Sequence, residues 1–387
     1  MHLTYTPEQQ AFRVEVRAWM ESHVPKSPLV TLEREDGYHQ HVEWERTLAG
    51  GNWGMVTWPE AYGGRGLDLI QWLIFEEEYW RAGAPMRANQ NGIFLLGPTV
   101  MEFGTDEQKA RFLTPMAKGE IIWAQAWSEP GAGSDMAAIT SKAVRDGDHY
   151  VLSGQKTWSS RAAFADWGFG IFRTDPASKR HKGLSFILFD LNSPGITRRP
   201  IRQLHGDTGF AELFFDDVRV PIENRIAGEG EGWNVAMATA GFERGLMLRS
   251  PGRFQAAAKR LVELFRKHEA TASPAAREAV LQAWMASQAY AYNTYAVAAK
   301  IMAGGSIGAE ASLNKIFWSE MDRAMHRTAM QLLGAAAELR TLPDGSVNQW
   351  LEGYIFSLSG PIYAGSNEIQ RNITAERLLG LPRMGAG

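Results

Sequence analysis

The chain changes its hydrophobic rhythm twice, and nothing else in it constrains the fold so tightly. Helical spacing runs to about residue 120, gives way to short β-rich runs between Ile121 and Pro221, and returns after Gly232. In the first stretch, "TPEQQAFRVEVRAWM" opens with Thr6 as N-cap, Pro7 at the first helical position and Gln9 closing a capping box. Phe12, Val16, Trp19 and Met20 then share one face. The same start signal recurs at "TDEQKARFLTPM", with Thr105 and Gln108. "GIFLLGPTVMEFG" reads as a buried helical segment, and the glycine-punctuated "WPEAYGGRG" as a loop.

In the middle stretch, "YVLSGQKTW", "WGFGIFRT", "LSFILFDL" and "AELFFDDVRVP" are rich in β-branched and aromatic residues. Turn signals at Asp146-Gly147 and Pro194-Gly195 separate them. No helices are interleaved, so a small antiparallel sheet or barrel is expected rather than a parallel α/β sheet. Beyond it, "WNVAMATAGFERGLML", "AVLQAWMASQAYAYNTYAVAAKIM" and "NKIFWSEMDRAMHRTAMQLLG" have the length and alanine content of a helix bundle, with Pro251-Gly252 kinking or interrupting the first. The expected class is α+β. Its expected domains are a helical one over 1–120, a β domain over 121–225 and a helical bundle over 226–387.

Composition narrows the functions. Forty basic residues against 43 acidic ones leave a net charge of -3, which gives no global attraction to nucleic acid or anionic membrane. Cysteine is absent, which excludes disulfides, thiolate catalysis and cysteine-ligated metals. No apolar run approaches the ~20 residues of a membrane span. "MHLTYTPEQQ" has neither the basic nor the apolar region of a signal peptide, so a cytoplasmic location is expected.

Several short motifs fail on inspection. "GEGEGW" is not set in a strand–helix–strand unit, so it makes a poor dinucleotide loop. "SGQKT" lacks the upstream glycine of a phosphate loop, and "GAGSD" is not a nucleophile elbow because Met136 follows two places after Ser134. His39 and His41, two apart, point to different faces of a helix and make no metal pair, and no metal site is expected.

"WAQAWSEPGAGSD", "YVLSGQKTW" followed by "SS", and "FFDDVRVPIENRIAGEGEGW", with "WPEAYGG" before them and "YAGSNEIQRNITAERLLG" at the end, resemble the acyl-CoA dehydrogenases in family order over nearly the whole chain. The resemblance implies three domains, helical, β and a C-terminal four-helix bundle, and an FAD cofactor. A flavin needs hydrogen-bond donors along its pyrimidine edge and an apolar wall against one face. Carried over, the run Gln125 to Ser134 would meet the pyrimidine half, with Gln125, Trp127, Ser128 and Ser134 in contact. Trp158 would pack against the ring and Ser160 would sit near N5. Serine stands at 128 and 160 where threonine is usual, so a hydroxyl is kept at both places. Taken alone, Trp158 reads as a core aromatic and Ser128 and Ser134 as turn or cap residues. Gln331, Gly334, Ser366 and Glu368 would complete the cofactor site, and Ser134, Arg244, Ala364 and Gly365 would meet the thioester substrate.

The family usually carries its catalytic glutamate where this chain has Ala364. Dehydrogenation still needs a base for the α-proton and donors for the thioester carbonyl. Backbone N–H at 364 can still donate. Some members, isovaleryl-CoA dehydrogenase among them, mount the carboxylate on the first C-terminal helix, directly before an arginine. Here that place reads "GFERG", with Glu243 22 residues past Pro221, in step with the family. Its surroundings are apolar, and burial would raise its pKa toward that of a general base. Arg244 would serve the pocket or the CoA arm, with a salt bridge inside the bundle as the other reading. Gly241 and Gly245 flank the pair and would leave room for a bulky or branched acyl group.

Two departures bear on assembly. The Arg-x-x-Phe-Gly stretch that reaches a neighbour's FAD pyrophosphate is missing from "LFRKHEATASPAAREAV". In the later cross-subunit stretch "QLLGAAAE", Gln331 and Gly334 are kept but Ala335 replaces a glycine. Both a homo-oligomer and a hetero-oligomer, a dimer of dimers in either case, fit the resemblance. The expected activity is conversion of an acyl-CoA to its 2-enoyl-CoA, with electrons passed to an electron-transferring flavoprotein. A non-catalytic subunit completing a partner's site, and a flavin oxidase or monooxygenase on the same fold, stand beside it.

Overall fold

A computed structural model of the chain describes residues 4–244 and 250–382. Helix α1 (Pro7–His23) starts as expected: Thr6 Oγ1 accepts from Gln9 N, and the Gln9 side chain accepts from Thr6 N. Phe12, Val16 and Met20 are buried, whereas Trp19 is half-buried and stacks on His23 at 4.2 Å. Then come α2 (Glu35–Gly50), α3 (Leu69–Arg81), a buried π-helical turn over Gly92–Leu96, α4 (Gly97–Phe103) and α5 (Asp106–Ala117). Thr105 and Gln108 box the start of α5, and a third box, Asp68 with Gln71, starts α3.

Strands β1 (Trp123–Ala126), β2 (Lys142–Asp146), β3 (His149–Ser160), β4 (Trp167–Arg173), β5 (Leu184–Asp190), β6 (Ile196–Ile201), β7 (Phe210–Pro221) and β8 (Arg225–Ile226) form one sheet. Its order is β6-β7-β3-β2-β4-β5-β8, with β1 beside β4. Gly147, at φ +62°, turns the chain between β2 and β3 as its sequence signal implies. The sheet departs from the antiparallel expectation at two places: β1 runs parallel to β4, and β2 meets β4 in parallel at Lys142 and Arg173. The long excursion between β1 and β4 brings the chain back to the same end of the sheet, the crossover that parallel pairing requires. Phe172, Phe189 and Phe215 fill the core behind it, meeting edge to face at 5.1–6.0 Å.

Helices α6 (Gly232–Arg244), α7 (Pro251–His268), α8 (Pro274–Met302), α9 (Ala311–Leu333), α10 (Gln349–Ser357) and α11 (Asn367–Arg377) follow. Ser250 takes the N-cap backbone conformation and Pro251 is the first residue of α7, so the Pro-Gly pair begins a helix rather than bending one. No described helix is long and apolar enough to cross a membrane.

Two compact units share the chain. One holds Met1–Val24, Asp68–Ala84 and Arg244–Gly387; the other holds Pro25–Leu67 and Pro85–Glu243. The early helices are therefore divided: α1 and α3 go with the late helices, while α2, α4 and α5 go with the sheet. Within the first unit, Gly252 lets α7 lie against the backbone of α3, since a Cβ there would meet Glu76 O at 2.7 Å. Gly252→Ala should therefore cost about 1–3 kcal/mol, read by urea denaturation; a neutral result would mean α3 and α7 part freely. Glu78, 1% exposed at its side chain, takes Arg13 at 3.0 Å, Arg17 at 2.8 Å and Arg81 at 2.6 Å, tying α1 to α3.

Candidate active site

In the sheet unit, two of the segments singled out from sequence are locked together. Thr157 N donates to Ser128 O at 2.8 Å. Just behind this contact, the fully buried Lys156 Nζ donates to Glu129 Oε1 at 2.8 Å, Ile171 O at 2.7 Å and Trp127 O at 3.3 Å. Glu129 also accepts from Thr140 N at 2.7 Å, Thr140 Oγ1 at 2.8 Å and Ser141 N at 2.9 Å. Burial alone would raise the Glu129 carboxyl, but Lys156 and the Thr140 and Ser141 donors pull it down to about 2. Burial pulls the Lys156 ammonium down to about 8 against the attraction of Glu129.

Past Lys156 the ladder between β3 and β7 slips, and Trp158 sits in the slip at φ +57°. The conformation is costly for a residue with a Cβ, by roughly 1–2 kcal/mol. It leaves the Trp158 side chain outward and 60% exposed, with Phe210 edge to face beside it, ring centroids 6.4 Å apart. Trp158 is thus not a core aromatic. Ser160 is half-buried at the strand end, and its carbonyl accepts from Asn91 Nδ2 at 3.3 Å. Arg161, again left-handed at φ +67°, is buried and paired with Glu33.

The rest of the first segment spreads out. Gln125 lies on β1 opposite Phe169, and Trp127 is buried against Phe169 and Phe186 with its indole Nε1 unpartnered. Ser134 is exposed, beyond the Glu129–Ala132 turn, next to an Asp135–Arg180 ion pair.

Helix α6 carries Glu243 one turn beyond Thr239, on the row that Thr239 shares. Val235, Ala236, Thr239 and Ala240 are buried, and Thr239 Oγ1 meets Thr99 Oγ1 of α4 at 2.8 Å. The side chains of Glu243 and Arg244, and all of Gly245, lie outside the described residues. Among the described residues outside its own helical turn, a Cβ at Gly241 would meet nothing within 4 Å. Two helical steps put Gly241 about 200° round α6 from Glu243, so that open space lies off the face that carries residue 243.

In the helical unit, Ala364 takes φ +56° and Gly365 φ +73°. Gln370 Nε2 donates to Ala364 O at 2.9 Å and Gly365 O at 3.3 Å, and Asn367 N closes the turn onto Pro361 O at 2.8 Å. The buried Asn367 amide accepts from Lys315 Nζ at 2.8 Å and Ser319 Oγ at 3.2 Å, and donates to Glu320 at 3.0 Å. Ser366 caps α11, its hydroxyl accepting from Ile369 N at 3.3 Å, and Glu368 lies exposed in the first turn. Gln331, exposed near the end of α9, lines a cavity of about 380 Å³ with His268, Thr271 and Ser273 of the α7–α8 turn. Gly334 ends α9 at φ +57° and ψ -131°, a conformation suited to glycine, and the Ala335 methyl is exposed beside it. From Ser319, which meets the α11 turn, to Gln331 is about 18 Å along α9. One chain therefore does not bring Gln331 and Gly334 to the place where it holds Ser366 and Glu368.

Sequence reasoning missed Lys156, Glu129, Lys315 and Asn367, which hold these segments without being expected contacts. Lys156 stands inside "YVLSGQKTW" and in a failed phosphate-loop pattern, and neither gives it a role. Its signal was its place in β3, where the residue faces the core.

Residues 6–120 match the acyl-CoA dehydrogenase N-terminal domain, 124–218 the middle domain and 230–379 the C-terminal domain. The chain belongs to the acyl-CoA dehydrogenase family, an oxidoreductase family whose members are generally FAD-dependent. It is 39% identical to acyl-CoA dehydrogenase IpdE1 of Mycobacterium tuberculosis, over 98% of this chain and 99% of that one. Among solved structures it is similar to the Tcur3481-Tcur3483 steroid ACAD, with TM-score 0.87, 28% identity and coverage of 99% and 100% of the two chains. It also resembles the ChsE4-ChsE5 complex from Mycobacterium tuberculosis, with TM-score 0.83, 30% identity and coverage of 99% and 100%.

Proposed function

We propose that this chain catalyses FAD-dependent α,β-dehydrogenation of an acyl-CoA thioester to the trans-2-enoyl-CoA, with an electron-transferring flavoprotein as acceptor. The observation that carries this reading is Trp158, a large aromatic held outward by a left-handed strand slip, directly beside the Ser128 segment. An exposed flat ring next to hydroxyl and backbone donors fits the apolar wall and polar edge that a flavin requires. Ser128, Trp158 and Ser160 would hold the ring, with Gln125, Trp127 and Ser134 along the same segment. Bound FAD supplies the hydride acceptor for the β-carbon. Glu243 removes the α-proton, and the backbone N–H of Ala364 donates to the thioester carbonyl, so the C–H pair lost from the substrate becomes one proton and one hydride. Arg244 and Gly365 are assigned to the substrate.

Relatives suggest the substrate and the assembly. A steroid ACAD and a two-chain complex stand among the structural relatives. A ring-bearing acyl group, and a hetero-oligomer with a second dehydrogenase-like chain, are therefore the finer reading. Gln331 and Gly334 would then face a neighbour's cofactor, with the Ala335 methyl limiting how closely a diphosphate comes. Ala364 favours one alternative, a subunit that only completes a partner's site.

A panel of straight-chain and ring-bearing acyl-CoAs with a dye acceptor tests this, together with flavin content per chain. Anaerobic bleaching by a ring-bearing thioester is expected; a colourless chain that no thioester reduces would leave the non-catalytic reading. Trp158→Gly should keep or slightly raise stability, since glycine removes the left-handed strain. It should weaken FAD binding about tenfold, the low end of an aromatic stacking contribution of about 1–3 kcal/mol; unchanged affinity in a flavin titration would remove Trp158 from the site.

A further inference from the structure

We infer that Lys156 and Glu129 are positioning residues: their buried ion pair holds Trp158 in its outward, left-handed conformation against the Ser128 segment, so that the flavin wall is formed before the cofactor arrives. The inference rests on the flavin reading above and assigns a duty to two residues that touch neither substrate nor cofactor.

Four observations carry it. The first is saturation. Lys156 has three hydrogens and three acceptors, Glu129, Ile171 O and Trp127 O. Glu129 accepts four bonds, from Lys156, Thr140 N, Thr140 Oγ1 and Ser141 N. Second, the pair adds side-chain ties where sheet pairing already brings the backbone together: the turn after β1, the entry to β2, the middle of β4 and β3 at its slip. Third, it stands at the break. Lys156 is the last residue of β3 in register with β7, opposite Leu213, before the slip that contains Trp158, and pairing resumes at Ser159. A left-handed residue with a Cβ persists only where its surroundings over-determine it. Trp158 has no such help from its own exposed side chain, so the constraint comes from the backbone on either side.

The fourth observation is energetic. A buried ion pair contributes little net stability, because the cost of desolvating both charges offsets their attraction. What such a pair supplies is a single geometry. With Nζ removed, the turn at Trp127–Ser128 and β3 at Thr157 keep, among the described residues, one hydrogen bond between them, Thr157 N to Ser128 O. That bond alone does not fix the φ of the next residue.

The test uses the full chain with a Lys156→Met/Glu129→Leu double variant, which removes both charges at similar volume, and Glu129→Gln as a milder second variant. Wild-type and variants are stripped of flavin, titrated with FAD, and followed by visible circular dichroism of the bound flavin. A crystal structure of each variant reads the φ of residue 158. The double variant should melt below wild-type, because Thr140 N, Thr140 Oγ1, Ser141 N, Ile171 O and Trp127 O each lose the partner the pair supplies; folded, it should bind FAD at least tenfold more weakly, lose most of the flavin dichroic signal and show Trp158 out of the left-handed region. Glu129→Gln should move the same readouts in the same direction by a smaller factor, and decides the matter if the double variant does not fold. Variants that keep Trp158 left-handed overturn the inference, whatever their melting temperature. A wild-type chain that takes up no FAD overturns the flavin reading instead, while the crystal structures still decide whether the pair sets Trp158.

Discussion

A Glu243→Gln chain should turn over its best acyl-CoA about 10³-fold more slowly than wild-type while still binding FAD and thioester. The estimate sits inside the 10²–10⁴ range typical of a positioned general base. Glutamine keeps the size of the side chain and loses only its ability to take a proton. The loss should therefore fall on kcat, with KM moving a few-fold. A dye-linked assay measures this, and a variant keeping more than a tenth of wild-type kcat would remove Glu243 from the mechanism. Three features point to this residue together: no acid at 364, a glutamate in family step on α6, and buried Val235, Ala236 and Thr239 leading up to it on the same helix.

The largest expected effect on stability lies elsewhere, at Glu78. Its carboxylate is buried and receives Arg13, Arg17 and Arg81. Burial alone would raise its pKa, but the three guanidinium groups pull it down to about 2. Removing one partner from a buried ion pair typically costs 3–5 kcal/mol. Arg17 and Arg81 are 45% and 38% exposed and recover part of their hydration. Glu78→Gln should therefore cost about 2–3 kcal/mol near pH 7. The pH dependence follows from the direction of the shift. A carboxyl whose folded pKa lies below its unfolded value of 4.5 stabilises the fold above that pH. The contribution fades as pH falls from about 4.5 toward 2. Urea unfolding from pH 7 to pH 3 should show the gap between wild-type and variant narrowing with acid; a constant gap would mean the charge is not what holds α1 to α3.

Local signals were legible in the sequence and long-range ones were not. Thr6 with Gln9, and Thr105 with Gln108, mark helix starts because a cap and its partner lie three residues apart. The hairpin at Gly147 was visible for the same reason. That α1 and α3 accompany the late helices depends on Arg13, Glu78 and the bare Cα of Gly252, far apart in sequence and meaningless until the chain is folded. The parallel pairing of β1 with β4 has the same cause: its partners are 44 residues apart in register. At the candidate site, the hydroxyl and aromatic positions were readable through the family's motif order. What orients them was not. Lys156 carries no motif of its own, and its role follows from facing inward on β3 beside Glu129. Periodicity alone puts Trp19 on the buried face of α1, but at the last turn it is half-buried and stacks on its neighbour His23.

The left-handed turn at Ala364 and Gly365 has a consequence for how such enzymes diverge. An amide hydrogen aimed by main-chain shape is indifferent to the side chain that follows it. Given the Gln370 and Asn367 anchors, an unbranched residue at 364 can gain or lose a carboxyl while the amide keeps its orientation, whereas a β-branched one would strain the left-handed backbone. Under the mechanism proposed above, two duties that the family usually places at one position would come apart in this way over evolutionary time, the acidic one passing to another helix.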